Sequence, residues 1–296
     1  MSLTATLAVD CHLRAHWPQR YPYQGTRSQI YNRRVIIEES NIAASAEALF
    51  PTLSTNGVTH ALIVQPGSYA TDNSAMLDVI AGSQGRAKGI AVIALDASDD
   101  DFADLKRGGI VRVRLSLITW DSEMFERPHI GSFLERCRRH DFYVEVFAGA
   151  AEWPTIMPKL LDSGVRVMVN HMGWPNVTEG THHPSFQSML QFGRLTDALV
   201  KIACGFRLTQ IGEPYDDVRP FVTEVVDAFG PDRCVWGSDW PLLDPDLGPL
   251  KRSFPWKLDY STELNSLSSW IPDEAVRRAI LWETPARLFG FSAPEV

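Results

Sequence analysis

A chain of 296 residues and 33.1 kDa is more than one small domain and less than two ordinary ones, a length that suits one large α/β barrel. With 45% hydrophobic, 22% charged and 10% aromatic residues it can bury a sizeable core, which excludes a disordered or fibrous protein. The 28 basic residues against 36 acidic ones leave a formal charge of −8, and that field repels phosphate, so nucleic acid and anionic membrane surfaces are disfavoured as partners. Cys11, Cys137, Cys204 and Cys234 are scattered, form no C-x-x-C pair and lie in or beside apolar runs, which reads as buried thiols of a cytoplasmic protein. The opening MSLTATLAVD has no basic region ahead of a long apolar stretch, and no window reaches the length of a membrane span, so neither an export signal nor a transmembrane helix is expected.

In chain order, short apolar runs rich in β-branched residues occur at 5–11, 59–65, 88–95 and 109–117, then again at 142–147, 165–170, 198–204 and 233–238. Stretches of helical character separate them near 43–56, 72–83, 100–107, 131–140, 152–162, 185–193 and 216–229, and two more, 262–270 and 273–288, close the chain. Regular strand–helix alternation implies right-handed parallel βαβ units, and eight of them over this length match an α/β fold of the (β/α)8 (TIM) barrel type with a C-terminal helical extension. The doubly wound open sheet is the main rival, but it usually carries a glycine-rich phosphate turn after its first strand, whereas HLRAHWP follows here. No linker or low-complexity tract divides the chain, so 1–296 reads as a single domain, with 17–42 as a long loop over the exit of the first strand.

In such a barrel the strands' carboxyl ends share one face, and chemistry is placed there. The first strand ends in Asp10, His12 and Arg14, whose equal parity points them to one side of an extended chain. Gln65 ends the second strand, Arg112 and Arg114 interrupt the fourth, Asn170-His171 ends the sixth, Arg207 follows the seventh, and the eighth runs into Gly237-Ser238-Asp239-Trp240-Pro241. Taken singly, His12 and His171 read as hydrogen-bonded interior histidines, Asp239 as an Asx turn or helix cap, and the arginines as ion-pair residues. Their arrival at the same end of successive strands favours a site.

Val9-Asp10-Cys11-His12, Gln65 with Thr71-Asp72-Asn73, Ser83-Gln84-Gly85-Arg86-Ala87-Lys88-Gly89, Asn170-His171-Met172-Gly173 and Trp236-Gly237-Ser238-Asp239-Trp240-Pro241 together resemble the amidohydrolase superfamily, in the branch that contains 2-pyrone-4,6-dicarboxylate lactonase. The resemblance covers nearly the whole chain and implies a (β/α)8 barrel whose first strand carries a His-x-His pair, whose sixth carries a histidine and whose eighth carries an aspartate. Those roles fall on His12, His171 and Asp239. The second histidine of the pair is replaced by Arg14. Arginine keeps its proton at working pH, is no metal ligand and repels a divalent ion at short range. No catalytic zinc and no cofactor are therefore expected, with His16 as the one substitute ligand nearby. This agrees with the lactonase branch, where histidines surround the scissile carbonyl and the aspartate acts as base.

On this reading Asp239 takes the proton of the attacking water, while His12, His171 and Arg14 polarise the carbonyl and stabilise the oxyanion. Arg114 and Arg207 match two of the arginines that clamp substrate carboxylates in that family. Trp120 and Trp174 stand where arginines are usual, which implies a substrate with fewer carboxylates and a flatter or more apolar body. Gln65, Tyr69 and Tyr31 are candidate partners of substrate oxygens, and Trp17 and Trp240 candidate additions to the apolar wall. The expected partner is a small lactone or carboxylate. The expected function is hydrolysis of a carboxylic ester ring; the alternatives are a lactone isomerase, a metal-dependent hydrolase or decarboxylase, and an inactive binder of small acids. The closing segment SWIPDEAVRRAILWETPARLFGF can pack on its own barrel or on a neighbouring copy, which leaves a homo-oligomer open.

Overall fold

The computed structural model describes residues 7–24, 46–118, 121–241 and 259–293. Each of the eight apolar runs overlaps a strand, six of them enclosing it and 5–11 and 88–95 offset from it by a few residues: β1 (Val9–Leu13), β2 (His60–Val64), β3 (Ala87–Ala91), β4 (Ile110–Ser116), β5 (Tyr143–Phe147), β6 (Val167–Val169), β7 (Leu199–Ala203) and β8 (Cys234–Gly237). They pair in parallel in sequence order. The ring closes where the Asp239 amide donates to the His12 carbonyl at 2.7 Å and the Arg14 amide to the Trp240 carbonyl at 2.9 Å. The strands are buried on both faces, which is why they read in the sequence as continuous apolar runs and not as alternation.

Helices α1 (Ala46–Thr55), α2 (Ser74–Gly82), α3 (Asp99–Arg107), α4 (Ile130–Arg139), α5 (Trp153–Ser163) and α6 (Pro184–Leu195) follow the first six strands, α7 (Gly205–Leu208) and α8 (Arg219–Phe229) follow β7, and α9 (Tyr260–Trp270), α10 (Glu274–Arg278) and α11 (Thr284–Phe289) end the chain. Local chemistry sets their limits. At α3, Ser98 and Asp101 form a capping box, acids fill the first turn, and Lys106 and Arg107 sit in the last, so the helix dipole is matched at both ends. The helix expected over 273–288 is interrupted by a π turn at Ala279–Glu283. Pro285 has no N–H for the carbonyl of Leu281, and the helix widens just ahead of it.

The closing segment packs on its own barrel. Phe289 and Phe291 join Val9, Cys11, Leu62, Val64, Ile90, Met168, Leu199 and Val235 in one apolar cluster at the amino ends of the strands, so the end opposite the expected site is sealed. Arg112 belongs to this lower end, its guanidinium 3.8 Å from the centre of the Tyr143 ring and 4.8 Å from that of Phe289. No helix among the described residues is long and apolar enough to cross a membrane. Of the loop expected over 17–42, residues 17–24 fold back so that the Gln24 amide meets the Ser68 carbonyl at 3.0 Å. The rest, Tyr31 included, lies outside the described residues, as does Trp120.

Glu263 on α9 is buried among the outer helices, and burial pushes its carboxyl up to about 8. A raised carboxyl pKa adds stability that is complete below the unfolded-state value and is lost as pH rises through the folded-state value. Glu263→Gln is therefore expected to match wild type near pH 4.5 and to gain on it by up to about 1.4 kcal/mol per pH unit between pH 4.5 and 8, read from urea unfolding at a series of pH values.

Candidate active site

At the end of β1 the strand departs from regular alternation, with a register shift between Asp10 and Leu13. This corrects the expectation that Asp10, His12 and Arg14 face one way. The Asp10 carboxylate accepts from the His12 and Ser238 amides, both at 3.0 Å, from the Ser238 hydroxyl and from the Tyr260 hydroxyl of α9 at 2.8 Å, so it fastens β1 to β8 and to the outer helix. Burial pushes its carboxyl up to about 6 against those bonds. His12 and Arg14 turn instead to Asp239. A Cβ at Gly237 would stand 2.4 Å from His12 Cβ and 2.6 Å from its amide nitrogen, so only glycine lets β8 approach β1 closely enough to form the site.

Asp239 is the centre of the cluster. Arg14 Nη1 donates to its Oδ1, Arg207 Nε donates to its Oδ2 at 2.8 Å, and His12 Nε2 lies 3.4 Å from Oδ1. Burial would raise this carboxyl, but Arg14 and Arg207 outweigh it and hold it well below the usual carboxylate range. Asp239 is 1% exposed, whereas the side chains of Arg14 and Arg207 keep 16% and 17%, so a ligand meets the guanidiniums first. His171 packs on His12 with ring centres 4.4 Å apart, and its Nε2 is 3.7 Å from Cys204 Sγ. Burial keeps both imidazoles neutral, with Lys201 the leading further cause for His12, while for His171 the charge of Asp239 opposes the shift without reversing it.

Three strand ends share a backbone device. His171, Cys204 and Asp239, after β6, β7 and β8, have φ of 48°, 67° and 63°, the left-handed region. For non-glycine residues such turns are uncommon and cluster at functional sites. Below them lies a second set of charges. Lys201 Nζ is 2.5 Å from Glu145 Oε2 and 3.1 Å from His12 Nδ1, and Arg114 Nη1 is 3.6 Å from Glu145 Oε1. Lys201 and Glu145 are fully buried. Reading the polar strand ends overlooks both, although each is a lone charge in an apolar run, ALVKIAC and FYVEVF, and that was the available signal.

The other candidates divide. Trp174 stands beside His171 and Phe147 at ring-centre distances of 5.6 and 5.2 Å, an aromatic wall at the mouth. Both amide atoms of Asn170 are buried and without a hydrogen-bond partner among the described residues. Gln65 Nε2 donates to the carbonyl of Asp72 at 2.6 Å, which holds the loop after β2. The Tyr69 hydroxyl accepts from the Trp17 amide at 2.7 Å, and the residue is fully buried, so it anchors the exit of β1. His16 packs against Tyr23 and Tyr69 and does not join the His12, His171 and Asp239 group.

Donor atoms of His12, His171 and Asp239 lie within 4.8 Å of one another, the spacing of a metal-binding triad. The donors are otherwise engaged, since Arg14 and Arg207 take one Asp239 oxygen each and Arg14 Nη2 sits 3.3 Å from His12 Nε2. A divalent cation would have to displace two guanidiniums, so the set fits one poorly.

The chain is 27% identical over 288 residues to 4-sulfomuconolactone hydrolase of Hydrogenophaga intermedia, covering 95% of this chain and 88% of that protein. It is 26% identical over 292 residues to 2-pyrone-4,6-dicarboxylate hydrolase of Comamonas testosteroni, covering 95% and 90%. Its fold matches a Pseudomonas putida structure described as a 2-pyrone-4,6-dicarboxylic acid hydrolase with a TM-score of 0.79 at 22% identity, covering 99% of this chain and all of that one. The amidohydrolase family model matches residues 9–291, and the chain belongs to that family of hydrolases.

Proposed function

We propose that residues 1–296 act as one catalytic domain that opens a small carboxylated lactone by hydrolysis, without a metal ion. The observation that carries this reading is a buried aspartate, Asp239, gripped by two partly exposed guanidiniums beside two neutral imidazoles. Water attacks the ring carbonyl carbon and gives its proton to Asp239. The oxyanion that forms is stabilised by His12, His171 and Arg14, and its collapse breaks the ring C–O bond, the leaving oxygen taking the proton back from Asp239. In the empty site Asp239 is a weak base because both its oxygens are paired. A substrate carboxylate competes for Arg207, and as that guanidinium turns to the substrate, Asp239 recovers basicity at the moment water must be deprotonated.

Two curated relatives whose names denote hydrolases of acidic ring substrates support the reaction class. Arg114 and Arg207 remain as cations for an anionic group, and Trp174 with Phe147 and His171 supports a flat or apolar substrate body. Trp120 belongs to the same reading. Gln65 and Tyr69 act through the loops that they hold. Four free, buried cysteines support a reducing, cytoplasmic setting.

Chelator-treated protein is expected to release protons from 2-pyrone-5-carboxylate, or from other aromatic-derived or sugar-acid lactones with one carboxylate. Asp239→Asn should lower that rate by about 10²–10⁴ while the circular dichroism spectrum is kept. An unchanged rate in this variant overturns the base assignment, and a product isomeric with the substrate overturns hydrolysis in favour of an isomerase. The wild type is expected to hold no stoichiometric zinc after incubation with the metal and dialysis, measured by atomic emission. Stoichiometric zinc in the wild type, or turnover that requires added zinc or manganese, overturns the metal-free mechanism.

A further inference from the structure

The buried pair Lys201–Glu145 has no role in the mechanism above. Lys201 Nζ is 2.5 Å from Glu145 Oε2 and 3.1 Å from His12 Nδ1, while the far oxygen of Glu145 faces Arg114 Nη1 at 3.6 Å. Resting on the lactonase reading, we infer that Lys201 is a positioning residue that fixes His12 as the Nε2–H tautomer and so makes its ring a hydrogen-bond donor to the reacting carbonyl oxygen.

The argument follows the hydrogens. An ammonium ion-paired with a carboxylate has three donors and no lone pair, so at 3.1 Å it can only donate to Nδ1. Nδ1 must then hold its lone pair toward Lys201. His12 is neutral, since burial first and then Lys201, His171, Arg14 and Arg114 all disfavour a second proton, so its one N–H is on Nε2. That nitrogen lies between Asp239 Oδ1 at 3.4 Å, which accepts its hydrogen, and Arg14 Nη2 at 3.3 Å, which cannot; the opposite tautomer would set an N–H against the Lys201 ammonium and a lone pair against the Asp239 carboxylate, two unfavourable contacts in place of one. Burial lowers the pKa of Lys201, and Glu145, close beside it, opposes that shift and favours the ammonium. A protonated Nε2 offers a metal no electron pair. The lysine thus decides that the ring donates to an oxygen where it would otherwise ligate. Neutral imidazole donors with a fixed tautomer are held this way when the other ring nitrogen has a defined partner.

Imidazole ¹⁵N NMR reads the tautomer without substrate, the His12 signals being assigned by their loss in His12→Asn. The expected result in the wild type is an unprotonated Nδ1 and a protonated Nε2. Lys201→Met leaves Glu145 buried and short of a cation, so Lys201→Met/Glu145→Gln, which removes both charges together, is measured beside it. In the folded double variant the His12 signals should move to a mixture of tautomers, and kcat on the panel lactone that the wild type opens fastest should fall on the order of 10²-fold, with KM within about threefold. A purely structural pair would change stability and leave both the ring signature and kcat in place, and that result overturns the inference. So does a wild-type spectrum with Nδ1 protonated. A protonated Nε2 in an enzyme inert toward every panel lactone keeps the tautomer assignment and overturns the lactonase reading alone.

Discussion

The carboxylate of Asp239 is the constraint on which the rest of the site depends. It is buried, and an uncompensated charge in such a place costs several kcal/mol, so the chain must bring cations to it. Arg207 comes from α7, next to β8, while Arg14 comes from the exit of β1 and reaches it only because the ring of strands closes between β8 and β1. Gly237 permits that closure, and Asp10, on the outer side of the same seam, fastens it through Ser238 and Tyr260. Fold closure and charge compensation are one event here.

In the two contact networks, Arg14–Asp239–Arg207 and Arg114–Glu145–Lys201, four cations face two carboxylates among the described residues. The partly exposed guanidiniums of Arg14 and Arg207 suit an anion and repel a divalent cation. The protein as a whole is acidic, with a formal charge of −8, so the attraction for an anion is local to the pocket and set against the long-range field. On the lactonase reading proposed above, such a site selects anions that fit over those that are merely attracted from a distance.

The barrel was legible because its physical cause is written in composition. Strands buried on both faces must be apolar throughout, and the eight runs locate all eight strands to within a few residues. Asp239, His12, His171, Arg14 and Arg207 were visible as polar residues at strand ends, and the structure brings them together. What was hidden depends on departures from ideal geometry. The shift between Asp10 and Leu13 breaks the period of two, so parity put Asp10 on the wrong face. Left-handed turns at His171, Cys204 and Asp239 leave no composition signal when the residue is not glycine or asparagine. Lys201 and Glu145 were passed over because reading only the strand ends ignores charges one layer below. The π turn ahead of Pro285 splits a segment that periodicity reads as one helix.

The stopper of Phe289 and Phe291 has a consequence for how the molecule is made. Arg14 and Asp239 are 225 residues apart in sequence, and the aromatic plug follows Asp239 by about fifty more. A nascent chain emerging from the ribosome therefore carries Arg14, His12 and the first strands for most of its synthesis with no counter-charge and an open floor. Each earlier strand can pair with its predecessor as it appears, and Glu145 of β5 is on hand for Arg114 and Lys201, but Arg14 and Arg207 lack Asp239 until the last strand arrives. Completion of the barrel, pairing of Arg14 with Asp239 and sealing of its floor are thereby deferred together until residues 234–291 have been made, so that a shorter product is left with an unfinished pocket and exposed apolar strands, features by which cellular quality control recognises incomplete chains.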